Sequence, residues 1–172
     1  MLERPLILTG FMGSGKSSVG PLLAEMLGWR FVDLDAEIVA VAGKSIKRIF
    51  AEDGERHFRL LESNCLEKLL AAGVAVISGG GGVVVAERNR QMMRQHGYVV
   101  NLQASLAVIL DRLKGAADRP LYEDENATER VCKLLEARKD FYADADIRID
   151  TDNKSVEDVA AEIFRVLKGL PV

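Results

Sequence analysis

The chain lacks most of what would tie it to an extracellular, membrane or nucleic-acid setting. Its 172 residues hold only two cysteines, Cys65 and Cys132, with no C-x-x-C pair, which argues against a disulfide framework or a thiolate metal cluster. Both fall on expected helices and read as reduced, partly buried thiols. There is no basic excess either. Lys and Arg number 23 against 26 Asp and Glu, a formal net charge of −3, and nothing remains to grip a nucleic-acid backbone. No apolar run approaches membrane-spanning length. The opening Met1-Leu2-Glu3-Arg4-Pro5 carries neither a cleavable leader nor a lipidation signal, so a cytoplasmic protein is expected. Repeats, low-complexity tracts and an interdomain linker are also missing. With 48% hydrophobic and 28% charged residues, the reading is one globular domain over residues 1–172, long enough to bury a core without disulfides or metals.

What is present alternates strand and helix. Apolar runs at Leu6–Leu8, Arg30–Asp35, Val74–Ser78, Tyr98–Leu102 and Ile147–Asp150 read as strands. Between them lie helical patterns at about 16–27, 38–42, 45–50, 55–72, 86–95, 105–114 and 127–142, and Ser155 caps a last one carrying Val156, Val159, Ile163 and Leu167. The apolar stripe of the 55–72 helix is Phe58, Leu61, Cys65, Leu66, Leu69 and Leu70. Residues 115–125 are polar, charged and broken by Gly115 and Pro120, the composition of a surface loop. Repeated β–α units with short connections imply an α/β fold, a parallel sheet covered by helices on both faces.

One segment carries specific chemistry. Gly10-Phe11-Met12-Gly13-Ser14-Gly15-Lys16-Ser17 satisfies G-x-x-x-x-G-K-[ST], and it has the strand before it and the helix after it that this phosphate-binding loop requires. Glycines let the backbone approach a ligand closely, and successive N–H groups converge on phosphate oxygens at the positive end of a helix. Lys16 reaches the β- and γ-phosphates as a point charge, and the Ser17 hydroxyl suits Mg²⁺. The expected ligand is a nucleoside triphosphate.

In open α/β sheets the ligand crevice lies beyond the carboxyl ends of the strands, which sorts the other polar residues. Asp33 and Asp35 end the second strand. If that strand persists they share a face, Asp33 beside the magnesium site and Asp35 farther toward an acceptor; alternatively Asp35 caps the following helix. Gly79-Gly80-Gly81-Gly82 follows the third strand, and close approach of a ligand to backbone N–H groups explains four glycines better than a plain turn. Arg59, flanked by Glu55 and Glu62, would pass as half of an exposed salt bridge, and Arg138 as part of a solvated helix face. Arg119, in the 115–125 loop, sits where an arginine can swing onto a transferring phosphate. His57 and His96 read as surface residues, and Trp29 as partly buried against the first helix.

Taken together, these stretches resemble the shikimate kinase family along nearly the whole chain. The matching segments are the phosphate loop, Phe31-Val32-Asp33-Leu34-Asp35, Gly54-Glu55-Arg56-His57-Phe58-Arg59-Leu60-Leu61-Glu62, Gly80-Gly81-Gly82, Arg119-Pro120-Leu121 and Arg138 before Phe141-Tyr142. The resemblance implies an adenylate-kinase-like P-loop fold, a three-layer arrangement with a five-stranded parallel sheet of order 2-3-1-4-5. It implies transfer of the ATP γ-phosphate to the 3-hydroxyl of shikimate, with Mg²⁺, by a monomer. Carried over by position, Gly13, Ser14, Gly15, Lys16, Ser17 and Ser18 would hold the nucleotide with Arg112 and Arg119, and Ser17 with Asp33 would serve the metal. Asp35, Arg59, Gly80, Gly81, Gly82 and Arg138 would hold shikimate on helices of about 35–62, under a lid of about 115–125. Lys16, Asp35 and Arg119 would act in the chemistry.

The chain departs from the family pattern in three places. Ser18 stands where threonine is more usual, Gly79 extends the glycine triplet to four, and Lys154 stands near where an arginine often meets adenine. A gluconate-type kinase of the same fold and a catalytically silent ATP-dependent module are the competing readings.

Overall fold

The computed structural model describes residues 3–114 and 126–169. Strand β1 (Leu6–Thr9) leads through the glycine loop into helix α1 (Lys16–Leu27), and β2 (Phe31–Asp33) into α2 (Leu34–Ala42), α3 (Ile46–Glu52) and α4 (Gly54–Ala71). Then follow β3 (Val76–Ser78), α5 (Glu87–His96), β4 (Tyr98–Gln103), α6 (Leu106–Lys114), α7 (Ala127–Ala143), β5 (Ile147–Asp150) and α8 (Val156–Lys168). The sheet has five strands in the order β2-β3-β1-β4-β5, and every pairing is parallel, as expected.

Strand alternation builds the layers. Leu6 and Leu8 point to one face with Val76, Val100, Leu102, Ile147 and Ile149, where α1 and α8 supply Val19, Leu23, Val159 and Ile163. Ile7, Ile77 and Val99 point to the other face, against Leu34, Ile38, Ile49, Phe58, Leu66, Met93 and Tyr142 from the remaining helices. Because both faces are covered, the central strand β1 is apolar at Leu6, Ile7 and Leu8 without a polar alternate, while edge strand β5 buries Ile147 and Ile149 and exposes Arg148 and Asp150. Trp29 packs half-buried in the α1 layer.

The structure corrects several expectations. The second strand does not persist to residue 35. Asp33 Oδ1 accepts from the Ala36 N–H at 3.1 Å, which caps α2 and starts it at Leu34 instead of Ile38. Asp35 therefore sits in the first turn of a helix, and the shared strand face proposed for the two carboxylates does not exist. The third strand begins at Val76 instead of Val74, whose side chain is exposed. Cys65 is buried, but Cys132 lies on an exposed face of α7. Ser45 and Ser155 cap α3 and α8 as expected, Ser155 in a reciprocal pair with Asp158.

The register puts the carboxyl ends of the central strands level. Leu8 pairs with Ser78, Ser78 with Asp33, and Thr9 with Asn101. The loops after β1, β2 and β3 thus leave the sheet along one edge, where the helix that follows β1 covers one face and the helices that follow its neighbours β3 and β4 cover the other.

Candidate active site

The phosphate loop is shaped by backbone that only glycine adopts easily. Gly10, Gly13 and Gly15 have φ of 146°, 79° and 101°. A Cβ at Gly10 would also stand 2.5 Å from the Leu102 carbonyl oxygen, so the loop presses against the end of β4. Gly15 caps α1 without a side-chain acceptor, and the positive end of the helix dipole at that point suits an anion. Lys16, 9% exposed, lies across the loop: its Nζ donates to Gly10 O at 2.6 Å and Phe11 O at 3.0 Å. Ser17 and Ser18 follow, both exposed. A backbone cradle, an ammonium, a hydroxyl at Ser17 and the carboxylate of Asp33 at the same edge of the sheet make up the donor types that a Mg²⁺-nucleoside triphosphate requires, so the residues present fit the group. Among the described residues no cluster of three or more His, Cys, Asp or Glu side chains is placed to hold a metal by itself.

Each glycine of the second cluster has its own steric reason. None of the four has positive φ, so conformational freedom is not what they supply. Gly79 packs in the core, where a Cβ would come within 2.8 Å of Val83 Cγ1 and 3.2 Å of the Leu8 carbonyl. At Gly80 it would meet Asp35 Oδ1 at 2.7 Å, and at Gly82 the Arg59 guanidinium at 2.5 and 2.6 Å. Gly81 has room, with Met12 N nearest at 3.5 Å, but its carbonyl accepts from Arg138 Nη1 at 3.2 Å and from the Tyr142 hydroxyl. Asp35 of α2, Arg59 of α4 and Arg138 of α7 are thus brought together on three successive glycines.

Two residues that the sequence reading left in the background complete this cluster. Glu62 is 1% exposed and accepts from Arg59 Nη1 at 2.9 and 3.1 Å. Burial raises its pKa, partly countered by Arg59, with smaller contributions from Asp35, which raises it, and Arg138, which lowers it. Tyr142 is buried, and burial raises its phenol pKa against the pull of Arg138. The signal for Glu62 was its i+3 spacing from Arg59; its burial comes only from tertiary packing. Among the described residues, the other Arg59 hydrogen bonds, from Nε and Nη2 to Glu55 Oε1, are longer at 3.4 and 3.3 Å, and the Glu55 side chain is 67% exposed.

At the opposite end of the phosphate loop, Arg112 Nη1 donates to Gly13 O at 3.0 Å and Thr151 Oγ1 at 3.3 Å, while Nη2 reaches Thr151 O at 3.3 Å. It ties the phosphate loop to the turn between β5 and α8. Lys154, on that turn, is paired with Glu162 at 2.7 Å. Arg119, Pro120, Leu121 and the rest of 115–125 lie outside the described residues. His57 and His96 are exposed on the surface.

The shikimate kinase family model matches residues 12–168. A curated shikimate kinase from Geobacter sulfurreducens is 55% identical, covering 93% of this chain and 88% of its own. The shikimate kinase from Acinetobacter baumannii, solved in complex with shikimate, superposes with a TM-score of 0.90 at 34% identity, covering 96% of this chain and 93% of its own. That from Aquifex aeolicus gives 0.84 at 37% identity, with 96% of each chain covered. A sugar kinase from Janibacter at 17% identity and TM-score 0.67 shares the fold. The chain belongs to the shikimate kinase family.

Proposed function

We propose that this protein transfers the γ-phosphate of ATP to the 3-hydroxyl of shikimate, giving shikimate 3-phosphate and ADP in aromatic amino-acid synthesis. The observation that carries the reading beyond the family is the convergence of Asp35, Arg59 and Arg138 on Gly80, Gly82 and Gly81. Two guanidinium groups and one carboxylate on a glycine surface suit an acceptor that is itself a carboxylate bearing hydroxyls. Planar guanidinium donors grip a carboxylate bidentately, and Asp35 is left to bind ring hydroxyls. A gluconate-type acceptor also carries a carboxylate and hydroxyls, but its flexible chain would not exploit a preformed surface equally.

In this reading Arg59 keeps its inner edge on Glu62 and exchanges the long contacts to Glu55 for the substrate carboxylate, which Arg138 grips from α7. Asp35 orients the attacking hydroxyl and accepts its proton. The transition state of phosphoryl transfer is loose, so holding that oxygen in line matters more than the strength of the base. Lys16 leaves the Gly10 and Phe11 carbonyls for the β- and γ-phosphates. Ser17 and Asp33 would hold Mg²⁺, which would supply positive charge to neutralise the phosphates. Arg112 braces the nucleotide end. Arg119 and the 115–125 lid join the account from the sequence alone, as do the acceptor-binding helices of about 35–62, the single domain over residues 1–172, the monomeric state and the cytoplasmic location. No helix among the described residues is long and apolar enough to cross a membrane.

The test is the position of the new phosphate. In NMR of the product from shikimate and Mg-ATP, phosphorus should couple to the ring proton at carbon 3 alone. Coupling to another ring proton, or no phosphorylated product, rejects the reading.

A further inference from the structure

The turn after the glycine run is held by side chains that lie outside the acceptor cluster. Asn89, wholly buried on α5, donates Nδ2 to Val83 O at 3.0 Å. Arg90, its neighbour, donates Nη1 to Val84 O at 2.6 Å and Val85 O at 3.0 Å. The same turn is bonded to the glycines themselves, through Val83 N to Gly80 O and Val85 N to Gly82 O, both at 3.0 Å. Anything that moves these valines therefore moves the surface on which Asp35 and Arg59 rest.

Arg90 also touches the other side of the site. Its guanidinium carbon lies 4.4 Å from the centre of the Phe141 ring on α7. Phe141 follows Arg138 by three residues and directly precedes Tyr142, the two donors to the Gly81 carbonyl. A guanidinium can give its edge to carbonyls and its face to a ring at once, which an ammonium cannot match.

We propose that Arg90 is a positioning residue of the acceptor site, latching α7 onto the turn that follows the glycine run and so setting Arg138 and Tyr142 on Gly81. The inference rests on the kinase reading above. Among the described residues, the hydrogen bonds and ring contact of Arg90 go to Val84, Val85 and Phe141, on the acceptor side, so its effect should fall on one substrate and not the other.

The experiment uses the full chain and its Arg90→Met, Arg90→Lys, Phe141→Leu and Arg90→Met/Phe141→Leu variants, with thermal unfolding recorded for each. Initial rates are measured against shikimate at saturating Mg-ATP, and against Mg-ATP at saturating shikimate. Because a remote misplacement of about 1 Å can cost about a hundredfold, the smaller shift expected from a lost latch should make Arg90→Met and Phe141→Leu each raise the shikimate KM about fivefold to tenfold and leave the ATP KM within about twofold. The double variant should be no worse than the worse single one, since both remove one latch. Arg90→Lys should recover part of the loss. A folded Arg90→Met with unchanged shikimate KM overturns the proposal, as do parallel rises in both KM values or single effects that multiply. Should Arg90→Met not fold, Phe141→Leu with an unchanged shikimate KM overturns it equally. If the wild type turns over shikimate while the variants match it, only the role of Arg90 is lost; if the wild type does not, the kinase reading is lost with it.

Discussion

Glu62 grips Arg59 from inside the protein, through both carboxylate oxygens at 2.9 and 3.1 Å, while the outer edge of the same guanidinium makes only longer contacts to exposed Glu55. The inner pair fixes where the arginine sits, and the outer edge is what it has to offer a ligand. Removing one partner of a buried pair strands the other charge. Glu62→Gln should therefore raise the shikimate KM about tenfold, equivalent to about 1.4 kcal/mol, with the ATP KM nearly unchanged. Equal rises in both would mean a general loosening instead.

The same residue predicts a pH effect on stability. Burial, outweighing Arg59, lifts the Glu62 pKa in the folded state. The folded protein then holds that proton more tightly than the unfolded chain, so stability from this group is present below the ordinary glutamate range and is lost as pH rises through the raised value. Glutamine does not titrate. In urea unfolding across a pH series, wild-type stability minus that of Glu62→Gln should fall as pH climbs from the ordinary glutamate range. A rising difference would contradict the assignment.

Three of the four glycines should separate by substitution. Gly79→Ala meets core atoms and the Leu8 carbonyl, so it should cost stability, on the order of 1–3 kcal/mol for overpacking. Gly80→Ala meets only the end of Asp35, so it should fold with little change in melting temperature and lose shikimate affinity. Gly82→Ala pushes on the guanidinium that Glu62 holds, so it should lose affinity together with some stability. Chemical denaturation beside shikimate saturation curves checks the split; if Gly79→Ala hurts only affinity, the division of roles is wrong.

Glu55 competes with the proposed ligand for Arg59. An exposed ion pair of this length is worth about 0.2–1 kcal/mol at most. Glu55→Gln should thus lower the shikimate KM by no more than about fivefold, and raised salt should shrink the difference between variant and wild type. A higher KM in the variant would place Glu55 among the residues that help binding.

Much of this was legible in advance, for reasons that differ by residue. The phosphate loop could be read directly because its glycines answer a local backbone demand, as the φ values at Gly10, Gly13 and Gly15 confirm. Strand order could not be read from periodicity and came with the family resemblance. The end of β2 was misjudged because Asp33 serves the strand and the helix at once, and a period-two pattern does not register a cap. The second glycine run reads in the sequence as close approach of a ligand to backbone N–H groups, whereas what crowds Gly80 and Gly82 in the structure is the Asp35 and Arg59 side chains. Tyr142 and the burial of Glu62 depend on helices distant in sequence meeting at Gly81 and Gly82, and Arg90 gave no local signal at all.

The catalytic and gripping roles should part under mutation. Asp35→Asn should cut kcat at least about a hundredfold while ATP binding stays near wild type, since losing one preorganised group costs that much in the transition state. Arg138→Ala should act mainly on the shikimate KM. Equal loss of ATP binding and turnover in Asp35→Asn would remove it from the acceptor side, and an unchanged saturation curve would remove Arg138.

ADP release from Mg-ATP is measured in parallel with shikimate, gluconate, AMP and no acceptor. ADP should form with shikimate well above the other three reactions. ADP that depends equally on gluconate or AMP, or no acceptor-dependent ADP from protein shown to bind ATP, would contradict shikimate as the acceptor.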